Sequence, residues 1–526
     1  MTRMVRARHA IPVGHGEVLA EPPYELWAER AEANAAAVSD WGFTIGGMSG
    51  LALRRLARRE TVAEAGAYSR RIGIDVATVP VEPRLLLVTG HQPDFYHPGV
   101  WVKDFLLQRL ADETGAAALD LVVDTDSFER VELRTPCTRP SVGRCTAVLG
   151  TTGVGGCFAC APVPTCSDVE MFRQAGLDAL STLPAPALGK HFDTFCDVLL
   201  DAIGHADDLG QALTGARRRF ESPAKTDYLE LGVSRQARTS AFRRFAAALL
   251  LDAEGFATVF NAELRAYRTR TGTRSKVQPF PDLSIDERSI ELPFWVLSGG
   301  RRRPARVTRG DAPALLADDG SVCDVPSDVD DVMSVLEKAD ALLVPRAATL
   351  TLFNRMFVAD LFIHGVGGGR YDRVTDAVAR SYFGVEPPTF VVASMTLHLP
   401  LGEHVVTDEE IVALEQRLQR LEHNPDQLLD EVEFDDAGER LEAERLVAEK
   451  CALVTEIAEK DVDKKTVGER IRAVNARLSR IMAPVVAETA ERLEAVRAQR
   501  ETAEILSDRT YPYCLWNPIE VMDKVR

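Results

Sequence analysis

The sequence predicts an α/β protein: a parallel-sheet core, a small β-containing connecting segment and a C-terminal helical hairpin. Three observations carry this. Leu85-Leu86-Leu87-Val88, a helical stretch over 100–113 and LDLVVD at 119–124 follow one another within some 40 residues. That is the strand, helix, strand order of a βαβ unit. Phe390 opens a second strong strand signal, FVVASMTLHL. Beyond Asp408 the apolar residues change to a heptad spacing. Ile411, Leu414, Leu418 and Leu421 form one seam, and Val467, Ile471, Val474, Leu478, Ile481 and Val485 form another.

The elements are expected in this order. Tyr24–Val38 and Leu51–Arg71 are helical and make residues 1–84 an N-terminal segment packed on the core. The core runs over 85–405. Residues 136–168, rich in Gly, Pro, Thr and Cys, read as an insertion that is either irregular structure or an excursion from the sheet. Helical and β connecting segments fill 169–330: helices over 169–182, 191–216, 235–254 and 257–271, then short strands over 290–324. ALLVP at 341–345 is another strand. TLTLFNRMFVADLFIHG after it reads as one amphipathic helix stopped by glycine. Residues 406–506 form the antiparallel helical hairpin, interrupted by Pro425 and turning near 463–465. The aromatic tail at 507–526 is expected to dock back onto the core.

Length and charge bound the function. A chain of 526 residues accommodates two or three domains. A net charge of −17 argues against sequence-independent binding to nucleic acid, which calls for a basic surface. No run of about 18 uncharged apolar residues occurs, and the basic start of the chain has no apolar signal core behind it. The expectation is a cytoplasmic protein, with most of its nine cysteines free.

The candidate site is the polar stretch TGHQPDFYHPGVWVKDF that follows the first strand. Ligands of open α/β sheets bind outside the carboxyl ends of strands. Thr89 and Gly90 end the strand, Gly99 allows close backbone approach, and the helix near Val100 offers free N–H groups to an anion. His91, Gln92, His97 and Lys103 supply donors, and either histidine could move protons. The alternative is a capped loop whose histidines bond only backbone. Asp124, Asp126 and Glu129 end the second strand and could hold an ammonium group or a metal. Arg346 is a candidate anion clamp. The glycine loop with Gly367, Gly368 and Gly369 follows a predicted helix rather than a strand, so it is no nucleotide fingerprint by itself. His364, Tyr371 and Asp372 flank it and make it a third wall. Cys157, Cys160 and Cys166, with Cys145 upstream, are candidate ligands of a structural zinc. Unpaired thiols are the alternative, and a redox pair is disfavoured because no helix clearly starts after Cys157.

These stretches together resemble one family, the bacillithiol synthases of the cysteine-adding step in bacillithiol biosynthesis. The family's TGQQ-type loop is matched by LLLVTGHQPDFYHPGVWVKDF, and its acidic EDHDFEE-type element by LVVDTDSFERVE. Its Leu-Arg-Pro strand, glycine loop and Phe-Gly helix end are matched by LLVPRAATLTLF, FIHGVGGGRYD and AVARSYFG. A long coiled coil and an aromatic Asn-Pro tail, here LWNP, follow in both. His91 replaces a Gln, Asp126 replaces a His, Ser127 replaces an Asp, and the glycine loop lacks Pro-Gly-Glu. The resemblance runs from about residue 85 to the end. It implies a nucleotide-binding-type Rossmann core and a coiled coil through which the chain forms a homodimer. It also implies addition of cysteine to an amino-sugar malate conjugate through an amide.

The leading expectation is therefore an amide-forming ligase. ATP or ADP with Mg is its expected cofactor, and an amino acid and an amine acceptor are its expected small-molecule partners. His91, His97 and Lys103 would steady the leaving group. Asp124, Asp126 or Glu129 would bind the ammonium or deprotonate the attacking amine. Arg346 and the glycine loop would hold the acceptor. The rival is a non-catalytic dimeric binding protein that keeps the pocket without the chemistry.

Overall fold

The computed structural model describes the chain apart from residues 1–9, 77–78, 140, 154, 276–279, 319, 403–407, 433, 435 and 459–462. The basic start of the chain and the expected boundary at 405–406 lie outside the described residues. The chain divides into two compact units. One comprises Met1–Arg139, Arg144–Leu399 and Arg509–Arg526, and the other Pro140–Gly143 and Pro400–Asp508.

The first unit is mixed α/β. Its main elements are β1 (Val18–Glu21), α1 (Gly50–Arg71), β2 (Leu86–His91), α2 (Pro98–Thr114), β3 (Ala117–Val122), α3 (Leu209–Glu221), β4 (Leu229–Gly232), α4 (Ala347–Phe357), β5 (Leu361–His364), α5 (Val366–Val378) and β6 (Phe390–Met395). The six strands form one sheet in the order β1-β6-β5-β2-β3-β4. β6, β5, β2, β3 and β4 run parallel, and β1 closes the edge antiparallel to β6. Leu86, Leu87, Val88, Leu119, Ile363 and Val391 are all buried, as strands covered on both faces require. The chain lays down β2, β3 and β4 in one direction, then returns to the far side of β2 for β5 and β6. Strand order therefore reverses between β2 and β5.

A second sheet is antiparallel throughout, in the order Gly320–Asp324, Ala314–Ala317, Arg301–Thr308, Ser289–Ser298, Leu342–Pro345. The strand at 342–345 thus belongs here and not to the parallel sheet.

Three corrections to the sequence reading matter for the site. TLTLFNRMFVADLFIHG is not one helix. α4 stops at Phe357 and β5 begins at Leu361, deep in the parallel sheet. The break is held by Asp360, whose Oδ2 accepts from Leu86 N–H at 2.7 Å. Consequently the glycine stretch follows a strand and opens a helix, with Gly365 as the N-cap of α5. Residues 136–168 are not simply irregular, because Arg130–Cys137 and Gly143–Thr151 pair as a two-stranded sheet. The expected helix at 191–216 is two helices, Pro186–Ala202 and α3.

The tail lies in the first unit. Tyr513 is buried among Phe95, Tyr96, Trp101 and Phe195, with ring centroids 5.0–6.3 Å away. In the second unit, Asp408–His423 packs against Ala483–Leu506 and Ala437–Ile457 against Lys464–Ile481. The first arm breaks between His423 and Pro425, where the proline cannot continue the helix. Leu446, Leu453, Val467, Val474 and Leu478 share one buried cluster. Ile411, Leu493 and Val496 share another. Each heptad seam is therefore covered within the unit by another helix: Ile411, Leu414 and Leu418 by Leu493 and Val496, and Val467, Val474 and Leu478 by Leu446 and Leu453. No single helix among the described residues is long and apolar enough to cross a membrane.

Candidate functional site

The site is built on the carboxyl end of β2. Thr89 faces into the sheet and donates to the Ile363 carbonyl at 2.8 Å, tying β2 to β5. At Gly90 a Cβ would lie 2.9 Å from the Leu121 carbonyl oxygen, so only glycine fits between β2 and β3. The loop then turns out of the sheet and re-enters at α2. His97 caps this helix, its Nδ1 accepting from Gly99 N–H at 3.0 Å. Pro98 takes the first position, where a missing N–H is harmless.

Gly99 is held tightly. A Cβ there would lie 2.6 Å from the Met395 carbonyl oxygen and 2.3 Å from Arg509 Nη2. Gly99→Ala is therefore expected to lower stability by about 1–3 kcal/mol, read as a lower urea midpoint. An unchanged midpoint would mean that α2 shifts freely against β6.

His91 lies half-buried beside Tyr96, with ring centroids 4.5 Å apart. Its Nδ1 is 3.1 Å from the Gln92 carbonyl. A carbonyl only accepts, so Nδ1 carries the hydrogen and Nε2 is left as the acceptor. Burial, then the nearby Lys103 ammonium, push His91 down to about 3, so the imidazole is neutral at physiological pH. Lys103 is itself buried and donates to the Gly90 carbonyl at 2.9 Å. Burial lowers its affinity for a proton.

Gln92 reaches across to the loop that follows β3. Its Nε2 donates to Asp126 Oδ2 at 2.8 Å. The other Asp126 oxygen accepts from Arg302 Nη1 at 2.7 Å, and Arg302 Nη2 bonds Ser127 Oγ at 2.7 Å. Arg302 stacks on Trp295 at 4.7 Å, and Arg346 lies over the same ring at 4.3 Å while pairing with Glu291 at 2.7 Å. A continuous polar chain thus runs from Gln92 through Asp126 and Arg302 to the second sheet. His91 and Gln92 also line a small cleft with Tyr96, Asp120, Arg217 and Tyr513.

Other expected residues are placed differently. Asp124 is buried, with Oδ1 accepting from Ser234 N–H at 2.9 Å and Oδ2 from the Ser234 hydroxyl. Burial pushes its carboxyl up to about 7. Glu129 is exposed on the chain leading into the strand at 130–137. His364 is buried on β5, with Nε2 2.9 Å from Asp372 Oδ2. Asp372 also takes Arg355 Nη1 at 2.6 Å, and Arg355 and His364 hold it well below the usual carboxylate range despite its burial. These three clamp α4, β5 and α5 together. Gly369 is buried against Val392, where a Cβ would lie 2.4 Å from Cγ2. Gly367 and Gly368 are exposed in the first turn of α5, and Tyr371 is half-buried, 6.1 Å from the Phe280 ring.

Among the described residues the thiols form no four-ligand set of the expected kind. Cys145 is bonded to Cys137 as a disulfide, which removes it as a ligand. Cys166 is exposed at the start of the helix Cys166–Leu180. Cys157 and Cys160 lie together, 3.1 Å between sulfurs.

The sequence does not single out Arg302, Trp295 or Arg217. The only local signal for the first is the run Arg301-Arg302-Arg303. A scan against protein-family models finds no match to this chain, and a comparison with curated protein sequences finds none either.

Proposed function

We propose that the chain is an amide-forming ligase on a Rossmann-like core, joining an amino acid, cysteine first among candidates, to an amine acceptor such as an amino-sugar conjugate. The observation that carries this reading is the reversal of strand order between β2 and β5. The polar loop Thr89–His97 and the glycine-rich start of α5 leave the carboxyl ends of these two neighbouring parallel strands. Such a reversal opens a crevice, and the N-terminus of α5, which has no side-chain cap, favours an anionic ligand there, whereas the first N–H groups of α2 are taken up by His97. Gly365, Gly367 and Gly368 have open space where a Cβ would stand, or meet only the end of His364, so backbone N–H groups there suit a phosphate.

If a nucleoside triphosphate binds there, it supplies the activation of a carboxylate that amide formation in water requires. The chain's own residues do the rest. Neutral His91, whose low proton affinity makes it a poor base, offers Nε2 as a hydrogen-bond acceptor that orients the N–H of the attacking amine. Asp126, partly exposed and oriented by Gln92 and Arg302, attracts the ammonium of the amino acid. Arg346 and Arg302, stacked on Trp295, present positive charge to the acceptor's carboxylates. A homodimer through the helical hairpin belongs to the same proposal. It uses the outer faces, because the heptad residues are buried in the hairpin's own seam.

The second reading is a non-catalytic dimeric small-molecule-binding protein. One observation favours it: Thr89, Lys103 and Asp124 spend their polar groups on the protein itself.

Mass spectrometry of reactions with cysteine, a panel of amine acceptors and ATP with magnesium separates the two. The ligase reading expects a cysteinyl amide that needs the nucleotide and falls about 10²-fold in His91→Ala. No product with any acceptor, alongside saturable binding of one of them, would establish the binding protein instead.

A further inference from the structure

Cys157 and Cys160 take no part in the proposed ligase chemistry, and the protein holds them in a defined arrangement. Their sulfurs are 3.1 Å apart, with the Cys157 thiol donating to Cys160. A disulfide bond is about 2.05 Å long, so a movement of roughly 1 Å closes it. The loop that carries them is anchored on every side. Ala159 N–H donates to the Asp124 carbonyl at 2.9 Å, and Arg302 N–H donates to the Gly155 carbonyl at 2.9 Å. Phe158 stacks on Phe128 at 4.3 Å, and Cys157 bridges Ser127. The two thiols differ in access: Cys157 is fully buried and Cys160 is half-buried. A single turn of 3-10 helix, Phe158–Cys160, joins them, a start that the spacing alone does not reveal.

We propose that Cys157 and Cys160 form a dithiol site that reduces small disulfides by thiol–disulfide exchange, with Cys160 attacking and Cys157 resolving. The Cys160 thiolate attacks one sulfur of a disulfide RS–SR. An S–S bond forms between Cys160 and that sulfur, and the RS–SR bond breaks to release one thiolate, which takes up a proton. The Cys157 sulfur then attacks Cys160, losing its proton as the second RS group leaves with it. The protein ends with a Cys157–Cys160 disulfide and the substrate as two thiols. Two electrons and two protons pass from the protein to the substrate. The hydrogen bond from Cys157 lowers the proton affinity of Cys160 and raises that of Cys157, which matches these roles. Asp124, whose carboxyl burial pushes up to about 7, lies near both thiols and raises the proton affinity of each when it is ionised. This inference is independent of the ligase reading.

The test uses the full chain, reduced, desalted and treated with oxidised glutathione, its remaining thiols alkylated and mapped by mass spectrometry. The expected product is a Cys157–Cys160 disulfide without retained glutathione. It forms at least about tenfold faster than adducts at the exposed Cys166 and Cys451. Cys157→Ser should trap glutathione on Cys160, and Cys160→Ser should leave Cys157 largely unmodified. Adducts at Cys166 and Cys451 with Cys157 and Cys160 still reduced would overturn the proposal. So would stoichiometric zinc in the purified protein that both serine variants lose. If a variant does not fold, the wild-type map alone decides.

Discussion

Replacing Asp360 by alanine is expected to destabilise the first unit by about 3–5 kcal/mol, because it leaves a buried arginine without its counter-charge. Asp360 is 2 % exposed and Arg54 is 4 % exposed. Oδ1 takes Arg54 Nη2 at 2.6 Å, and Oδ2 takes Arg58 Nη1 at 2.7 Å and Leu86 N–H at 2.7 Å. One carboxylate therefore ties α1 to the first residues of β2 and β5. Burial already pulls the Arg54 guanidinium down to about 10, with Asp360 opposing the shift. Without Asp360 that burial is uncompensated. The readout is urea unfolding followed by tryptophan fluorescence. All five tryptophans, at 27, 41, 101, 295 and 516, fall within the first unit, so the signal reports that unit alone. Asp360→Asn, which keeps an acceptor for Leu86 N–H, should fall between wild type and alanine. Arg54→Met combined with Asp360→Leu should recover part of the loss, since removing both charges ends the mismatch. An alanine variant within about 1 kcal/mol of wild type would mean that water reaches Arg54.

Asp360 also shows what the sequence leaves hidden. The run from Thr349 to His364 is apolar enough to look like one helix, and only the tertiary environment divides it. β5 has four residues, as do β1 and β4, and runs that short carry no period that separates strand from helix. The longer or more strongly patterned elements are legible. β2 and α2, β3, β6 and both arms of the hairpin lie within a few residues of where their apolar residues put them. With β5 not legible, the strand that precedes the glycines at 365–369 stays hidden, and with it the reversal of strand order. The polar loop after β2 is legible as a candidate site because its residues are adjacent in sequence. The Asp126–Arg302 pair is not, because 176 residues separate its two members and only packing brings them together.

Arg217→Leu is expected to cost about 3–5 kcal/mol near neutral pH, with the deficit shrinking as the solution is made acidic. Arg217 is 5 % exposed and bonds five acceptors. Nη1 reaches Asp104 Oδ2 at 2.8 Å, Glu221 Oε1 at 3.2 Å and Tyr228 Oη at 2.7 Å. Nη2 reaches Asp120 Oδ2 at 2.8 Å and Glu230 Oε1 at 2.7 Å. Four buried carboxylates thus converge on one guanidinium, with Arg218 beside it. Burial, and then the neighbouring acids, raise Asp104 well above the usual carboxylate range; burial does the same to Glu230 against the pull of Arg217. A carboxyl whose proton affinity is raised by folding stabilises the folded state below its unfolded range near about pH 4. That contribution is lost as pH climbs through the folded value. Arg217 opposes this by favouring the ionised forms. Its removal raises the folded values further, so the variant keeps losing stability up to a higher pH than wild type. Urea midpoints at about pH 5 and about pH 8 measure the difference, which should be larger at the alkaline end. A deficit equal at both, or larger in acid, would show that the four acids are not the groups Arg217 compensates. Because Arg217 also lines the cleft beside His91, Arg217→Lys at a pH where it stays folded tests the same cluster from the site. A lysine keeps the charge but cannot span two pairs of carboxylates, so ligand affinity should fall further than stability does.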